Sequence, residues 1–134
     1  MSSRGVCLVI EDDGDIRGLI SAILTQAGFE VHAVALGAEG VAAAADLSPV
    51  LVTVDIGLPD ISGYEVARQI REVSAAPLLF LTARAKTDDE MASMASGAAA
   101  YLAKPFRPRR LREIADMLCP IEPAVRQGTE STGP

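Results

Sequence analysis

Short apolar runs alternate with longer segments of helical periodicity along most of this chain of 134 residues. The runs, rich in β-branched residues, predict five strands at about 5–11, 30–35, 50–55, 77–82 and 99–103. After each strand, apolar residues recur every three or four positions, which predicts five helices. These helices cover about 16–27, 38–46, 62–73, Thr87 to the residue before Gly97, and 107–118. Strict alternation of strands and helices predicts an α/β fold, a doubly wound parallel sheet with helices on both faces.

Polar side chains stand where the predicted strands end. In chain order they are Glu11, Asp12 and Asp13 after the first strand, Asp55 at the end of the third, Thr82 at the end of the fourth, and Lys104 after the fifth. Open α/β sheets bind ligands outside the carboxyl ends of their strands, so we expect these side chains to lie close together. Taken alone, the first three acids could simply cap the following helix, and we keep that interpretation for Asp13.

Crowded carboxylates raise one another's pKa unless positive charge lies among them, and a divalent cation or the ammonium of Lys104 can supply it. Magnesium suits the first role, because it takes one or two carboxylates, keeps waters and bridges to phosphate. An aspartate beside a metal, a hydroxyl and a lysine is equipped to attack phosphorus. The carbonyl of Gly57 can add a metal ligand, and the hydroxyl of Thr82 can donate to a phosphoryl oxygen.

With these residues in place, the chain resembles the receiver domain of bacterial two-component response regulators over about residues 5–119. The matching segments are LVIEDDGDIR, VDIGLPDISGYEV, FLTAR and YLAKPF, in this order. The resemblance implies a flavodoxin-like, five-stranded parallel sheet of order 2-1-3-4-5 flanked by five helices. It also implies that a sensor histidine kinase or phosphotransfer protein phosphorylates Asp55. The implied ligands of Mg²⁺ or Mn²⁺ are Glu11, Asp12, Asp55 and the backbone carbonyl of Gly57.

The resemblance also assigns the remaining site residues. Thr82 and Lys104 act with Asp55 in the chemistry, Thr82 and Tyr101 form the switch pair, and the Lys104-Pro105 bond is cis. The domain catalyses only its own phosphorylation and dephosphorylation, so it is not expected to be an enzyme in the usual sense. Its output face combines the helix that Thr87 opens, the fifth strand and the last helix. We expect this face to bind an unidentified output protein, and it is also the candidate surface for a homodimer.

Two departures from the family pattern leave the phosphorylation chemistry intact but bear on its rate and on the lifetime of the phosphoryl group. Gly57 supplies no side chain at a position that tunes dephosphorylation in the family, whereas Arg84 supplies a long cationic one. The segment Gly97-Ala98-Ala99-Ala100 lacks the acidic residues that many relatives carry before the switch aromatic.

Composition limits the classes of binding partner and the cellular compartment that we expect for this chain. A net charge of −6 offers no basic footprint, so direct nucleic-acid binding is not expected. No signal peptide or membrane-length apolar segment is found, which predicts a cytoplasmic protein without membrane contact. Cys7 and Cys119 are interpreted as reduced structural thiols, and His32 as a structural or surface residue. Residues 120–134 are dominated by Pro, Gly, Ser and Thr, which predicts a disordered tail after a receiver domain at 1–119.

Several alternatives compete with this interpretation. A dehalogenase-like phosphohydrolase would need Asp-x-Asp, but the sequence reads Asp55-Ile56-Gly57. A flavodoxin-like cofactor carrier would need a hydroxyl- or glycine-rich loop after the first strand, where this chain is acidic. A receiver-shaped interaction module that is never phosphorylated stays open. So does the form of the output: a stand-alone regulator, favoured by the non-periodic tail, or the excised receiver of a transcription factor.

Overall fold

The computed structural model describes residues 3–83 and 99–121. The predicted helix that Thr87 opens lies outside the described residues, as do Arg84 and the predicted tail from residue 122 onward. Within the described ranges no helix is long and apolar enough to span a membrane.

A single five-stranded parallel sheet forms the centre of the molecule. Its strands are β1 (Val6–Ile10), β2 (Glu30–Val34), β3 (Leu51–Asp55), β4 (Leu78–Thr82) and β5 (Ala100–Ala103). The order across the sheet is β2-β1-β3-β4-β5, and every neighbouring pair is parallel. Both the predicted fold class and the predicted strand order are therefore confirmed.

Four helices flank the sheet in the described part of the chain. They are α1 (Gly14–Gln26), α2 (Gly37–Leu47), α3 (Gly63–Arg71) and α4 (Pro108–Leu118), the last being the fifth of the predicted helices. Helix α3 ends two residues before the predicted position, because its last turn tightens. The amides of Glu72 and Val73 bond to carbonyls three residues earlier, at Gln69 and Ile70.

Two apolar layers fill the space between the sheet and its helices. One layer packs β1, β3 and β4 against α1 and α4, and the other packs the opposite face against α2 and α3. Strands β3 and β4 are buried at every position, as expected for central strands covered on both faces. The edge strand β2 is more exposed and carries His32 at the surface.

The two cysteines are free thiols, as predicted from their spacing. Cys7 is buried on β1, and this burial raises the pKa of its thiol to about 12. A thiol with so high a pKa holds little thiolate at neutral pH and is therefore unreactive, which fits the structural role that the sequence suggested.

Candidate functional site

Three carboxylates meet at the carboxyl edge of the sheet. Glu11 and Asp12 follow β1 directly, and Asp55 is the last residue of β3. Strands β1 and β3 are hydrogen-bonded neighbours, so their ends emerge side by side. One carboxylate oxygen from each acid lies within 4.8 Å of the others. Glu11 and Asp55 are buried, whereas Asp12 is exposed, so the cluster opens to solvent on the side of Asp12.

Lys104 supplies the positive charge in this cluster. Its Nζ atom lies 2.9 Å from Oε1 of Glu11 and 3.5 Å from Oδ2 of Asp55. The Lys104-Pro105 peptide bond is cis, as expected. The backbone N–H of Lys104 donates to the carbonyl of Thr82 at 2.6 Å, which joins the end of β4 to the lysine.

The pKa values of the ion pair reflect its partial burial. Desolvation raises the pKa of Glu11 to about 7, the close contact with Lys104 opposes this change, and the charge of Asp55 adds to it. Desolvation lowers the pKa of Lys104, but its contacts with the Glu11 and Asp55 carboxylates outweigh this, so its pKa lies above the ordinary value. A buried acid that is reluctant to ionise is the expected result of desolvation, to which the nearby charge of Asp55 adds.

The loop after β3 closes around Asp55. The N–H of Gly57 donates to Oδ1 of Asp55 at 3.0 Å, and the N–H of Gly63 donates to the carbonyl of Ile56 at 3.0 Å. A Cβ atom on Gly63 would lie only 2.6 Å from the carbonyl oxygen of Asp55. Glycine therefore lets α3 begin directly against the end of β3.

The start of α1 shows which acids are caps and which are site residues. The side chain of Asp13 accepts hydrogen bonds from the N–H groups of Asp15 and Ile16, which confirms its interpretation as a helix cap. Glu11 turns toward Lys104 instead, and its Oε2 atom also accepts from the N–H of Asp13 at 3.2 Å. Helix capping therefore explains the position of Asp13 but not that of Glu11.

Sequence reasoning missed one residue beside the acidic turn. Nη1 of Arg17 donates to the carbonyl of Glu11 at 3.0 Å and to that of Asp12 at 3.3 Å. A cation one turn into α1, six residues after Glu11, was the available signal. Arg17 fixes the backbone that carries two of the three carboxylates.

The two predicted switch residues lie on neighbouring strands. Thr82 is buried at the end of β4, and Tyr101 is half-buried on β5. The Tyr101 side chain packs against the apolar layer beneath α2 and α3. The structure thus brings together Glu11, Asp12, Asp55 and Lys104, with Thr82 beside Lys104 and Gly57 beside Asp55, while Tyr101 lies on the adjacent strand. The roles of these residues stay predictions.

The oxygen atoms available here fit a hard divalent cation. The three carboxylates are close enough together to hold one ion. Oε1 of Glu11 is buried and accepts no well-directed hydrogen bond from the described residues, although Lys104 is within ion-pair distance. Carboxylate and carbonyl oxygens are the ligands that Mg²⁺ prefers, and soft sulfur or imidazole ligands are absent from the three-acid cluster.

Comparison with known protein families identifies the class of this domain. The chain belongs to the response regulator receiver domain family, whose profile matches residues 7–116. Among curated proteins it is similar to the DNA-binding response regulator MtrA of Mycobacterium tuberculosis H37Rv. The two are 35% identical over 104 residues, which are 78% of this chain and 46% of MtrA. The chain therefore spans about half the length of the curated relatives it matches.

Solved structures agree with this assignment. A CheY-like receiver domain protein from Methanospirillum hungatei JF-1 superposes with a TM-score of 0.80 at 30% identity, covering 87% of this chain and 94% of that one. A response regulator from Burkholderia pseudomallei, solved with a phosphorylated aspartic acid and a calcium ion, gives a TM-score of 0.77 at 26% identity. That match covers 85% of this chain and 66% of the other.

Proposed function

We propose that this domain is a phosphorylation-dependent signalling switch in which Asp55 accepts the phosphoryl group. The observation that carries the proposal is the grouping of Glu11, Asp12 and Asp55 within 4.8 Å, with Lys104 against two of them. Packing this much negative charge at a strand end is costly unless cations neutralise it, as Lys104 does in part and a bound divalent ion would do further. Membership in the receiver family supports the same function.

The chemistry is a single phosphoryl transfer. A carboxylate oxygen of Asp55 forms a bond to phosphorus while the bond from phosphorus to the donor breaks, and the donor keeps that electron pair. The donor is the phosphohistidine of a sensor kinase or phosphotransfer protein, or a small acyl phosphate such as acetyl phosphate, which leaves as acetate. Water attacking the acyl phosphate later returns Asp55 and inorganic phosphate.

The other site residues would position groups and neutralise charge. A bound Mg²⁺, held by Glu11, Asp12, Asp55 and the Gly57 carbonyl, supplies positive charge for the phosphoryl oxygens. Lys104 is already oriented toward Asp55 and would contact the phosphoryl group. The hydroxyl of Thr82 would donate to a phosphoryl oxygen, and we propose that Tyr101 repacks when it does.

We propose that phosphorylation changes the output face defined above, because Tyr101 lies on the fifth strand, which belongs to that face, and Thr82 lies on the neighbouring strand. Phosphorylation would shift the population toward the form that binds an output protein, or toward a homodimer. The output takes one of two forms: a regulator that acts by protein contact, or the receiver of a longer transcription factor. The length and the DNA-binding description of MtrA support the second form. Sequencing the gene beyond the codon for Pro134 separates the two.

One alternative function is compatible with the same ion pairs. Lys104 already pairs with Glu11 and Asp55 in the unmodified domain, as it would in a receiver-shaped interaction module that is never phosphorylated. Such a module would not respond to phosphate analogues. The two functions therefore differ in a simple measurement.

That measurement is the response of backbone amide NMR signals to Mg²⁺ and beryllofluoride, a stable mimic of the phosphoryl group. We expect the signals of Gly57, Ala83 and Lys104 to shift in the natural sequence, because their amides lie beside Asp55 or Thr82. The Asp55→Asn variant should show no response beyond that to Mg²⁺ alone, since its amide cannot coordinate beryllium as a carboxylate does. Asp15→Asn, an exposed acid on α1, is the matched control and should respond fully.

A response equal in Asp55→Asn and Asp15→Asn would remove Asp55 as the acceptor. No response in the natural sequence would favour the interaction module instead.

A further inference from the structure

Helix α2 begins without a cap of its own. Leu36 occupies the N-cap position, and its apolar side chain cannot accept a hydrogen bond. The N–H groups of Gly37 and Ala38 are bound instead by Asp60, whose Oδ1 and Oδ2 atoms accept them at 2.9 and 3.0 Å. A carboxylate from a distant loop therefore caps this helix and lies at the positive end of its dipole.

Asp60 belongs to the loop that forms one wall of the candidate site. The loop runs from the end of β3 to the start of α3, and Gly57 lies three residues before Asp60. The N–H of Gly57 is bonded to Asp55, and its carbonyl is the proposed metal ligand. Hydrogen bonds from the N–H groups of Ala38 and Gly37 lower the pKa of Asp60, so its carboxylate is charged at neutral pH.

The start of α2 is a fixed support for this loop. A Cβ atom on Gly37 would lie 2.6 Å from Val66 of α3 and 2.7 Å from Ile61. One turn later, Gly40 is pressed against the side chain of Ile10, the residue before Glu11. Because α2 cannot move toward either neighbour, a bond from the loop to α2 restrains the loop.

We infer that Asp60 is a positioning residue for the metal ion: its bonds to α2 hold the loop so that the Gly57 carbonyl and Asp55 face the same ion. This inference rests on the proposed function, because it assigns Asp60 a part in binding the ion that the switch requires. Asp60 is exposed and touches neither Asp55 nor Lys104 by hydrogen bond or ion pair in the described structure. It acts through the loop.

The test is Mg²⁺ binding by the full chain, measured by titration calorimetry. We expect Asp60→Ala to raise the dissociation constant for Mg²⁺ about tenfold, at the lower end of the effect seen when residues that orient ligands are removed. Asp60→Asn keeps one acceptor oxygen and should give an intermediate value. Glu39→Ala is the matched control, because Glu39 also accepts a hydrogen bond at the start of α2, from the N–H of Leu36 at 3.2 Å, but does not belong to the loop.

A second measurement, amide hydrogen exchange, tests the same inference without measuring affinity. Coupling between the ion and α2 is reciprocal, so Mg²⁺ should slow hydrogen exchange at the amides of Gly37 and Ala38 in the natural sequence. In Asp60→Ala this effect of Mg²⁺ should disappear, although the amides of α4 should stay as protected as before.

The outcomes separate the inference from the proposed function. Failure of the natural sequence to bind Mg²⁺ would overturn both. If the natural sequence binds Mg²⁺ and Asp60→Ala binds it no more weakly than Glu39→Ala, Asp60 is only a helix cap and the inference is wrong. Tenfold weaker binding in Asp60→Ala alone, with natural affinity in Glu39→Ala, supports it.

Discussion

Glu11 lies in an environment that disfavours the charged form of its side chain. It is fully buried, yet its charge partner Lys104 is shared with Asp55. Burial raises its pKa to about 7 from an ordinary value of 4.5. Near neutral pH and without a metal ion, part of the folded population therefore keeps a proton on Glu11 that the unfolded chain has already released.

This difference predicts a pH dependence of stability. Between about pH 4.5 and 7 the folded state binds more protons at Glu11 than the unfolded state, so raising the pH through this window lowers the free energy of unfolding. We expect a loss of about 1–3 kcal/mol in the presence of EDTA, from the scale of about 1.4 kcal/mol per pKa unit. The measurement is urea unfolding at a series of pH values, for the natural sequence and for Glu11→Gln.

Glu11→Gln is the control because it cannot titrate, and subtracting its curve removes the contributions of other groups. The difference between the two proteins should change across the window and level off only when the pH is well above the folded-state pKa of about 7. A difference that is the same at every pH would show that Glu11 ionises as an ordinary exposed acid does.

At this scale the sequence predicted the members of the site but not the residues that position them. Glu11, Asp55 and Lys104 could be predicted because parallel strands bring their ends to one edge of the sheet. Asp60 could not, since it bonds to amides 22 and 23 residues away and no local pattern shows this. The available signal was indirect: Leu36 before α2 cannot cap a helix, so an acceptor had to come from elsewhere.

Among the elements, glycines in two helices have opposite roles. Gly18 lies on the exposed side of α1, where an added Cβ would meet nothing within 4 Å in the described structure. Gly40 lies on the buried side of α2, where a Cβ would collide with Ile10, with Cγ1 at 2.7 Å. Close packing of α2 on β1 therefore depends on Gly40, whereas α1 does not need Gly18.

Alanine substitutions at these two positions should have opposite signs. Gly18→Ala should stabilise the domain by about 0.5–1 kcal/mol, since alanine favours a helix and restricts the unfolded chain. Gly40→Ala should destabilise it by about 1–3 kcal/mol, because overpacking outweighs the same gain. Urea unfolding measures both effects. Adding Ile10→Val to Gly40→Ala removes a methyl group from the contact and should recover part of the loss; a stabilising Gly40→Ala would contradict the packing described here.

The sequence located the elements better than their ends. The predicted strands lie within one residue of the observed ones at each end, and for the central strands this is because they are apolar throughout. The end of α3 was placed two residues late because Val73 fits the helical pattern, although half of its surface is exposed. A pattern of residue types cannot show that the last turn tightens.

At the scale of the molecule, the described residues that form the apolar core are different from those that form the candidate site. Two apolar layers hold α1 and α4 on one face of the sheet and α2 and α3 on the other. The acids and the lysine collect at one edge, outside both layers, where they can meet an ion and a phosphoryl donor.

The central claim, that Asp55 accepts a phosphoryl group, is tested most directly by the intact mass of the protein after incubation with Mg²⁺ and acetyl phosphate. The natural sequence should gain the mass of one phosphoryl group, lose it in hydroxylamine, which cleaves acyl phosphates, and gain nothing when EDTA replaces Mg²⁺. Asp55→Asn should gain nothing under any of these conditions. An unchanged mass for the natural sequence, or an equal gain in Asp55→Asn, would contradict the claim.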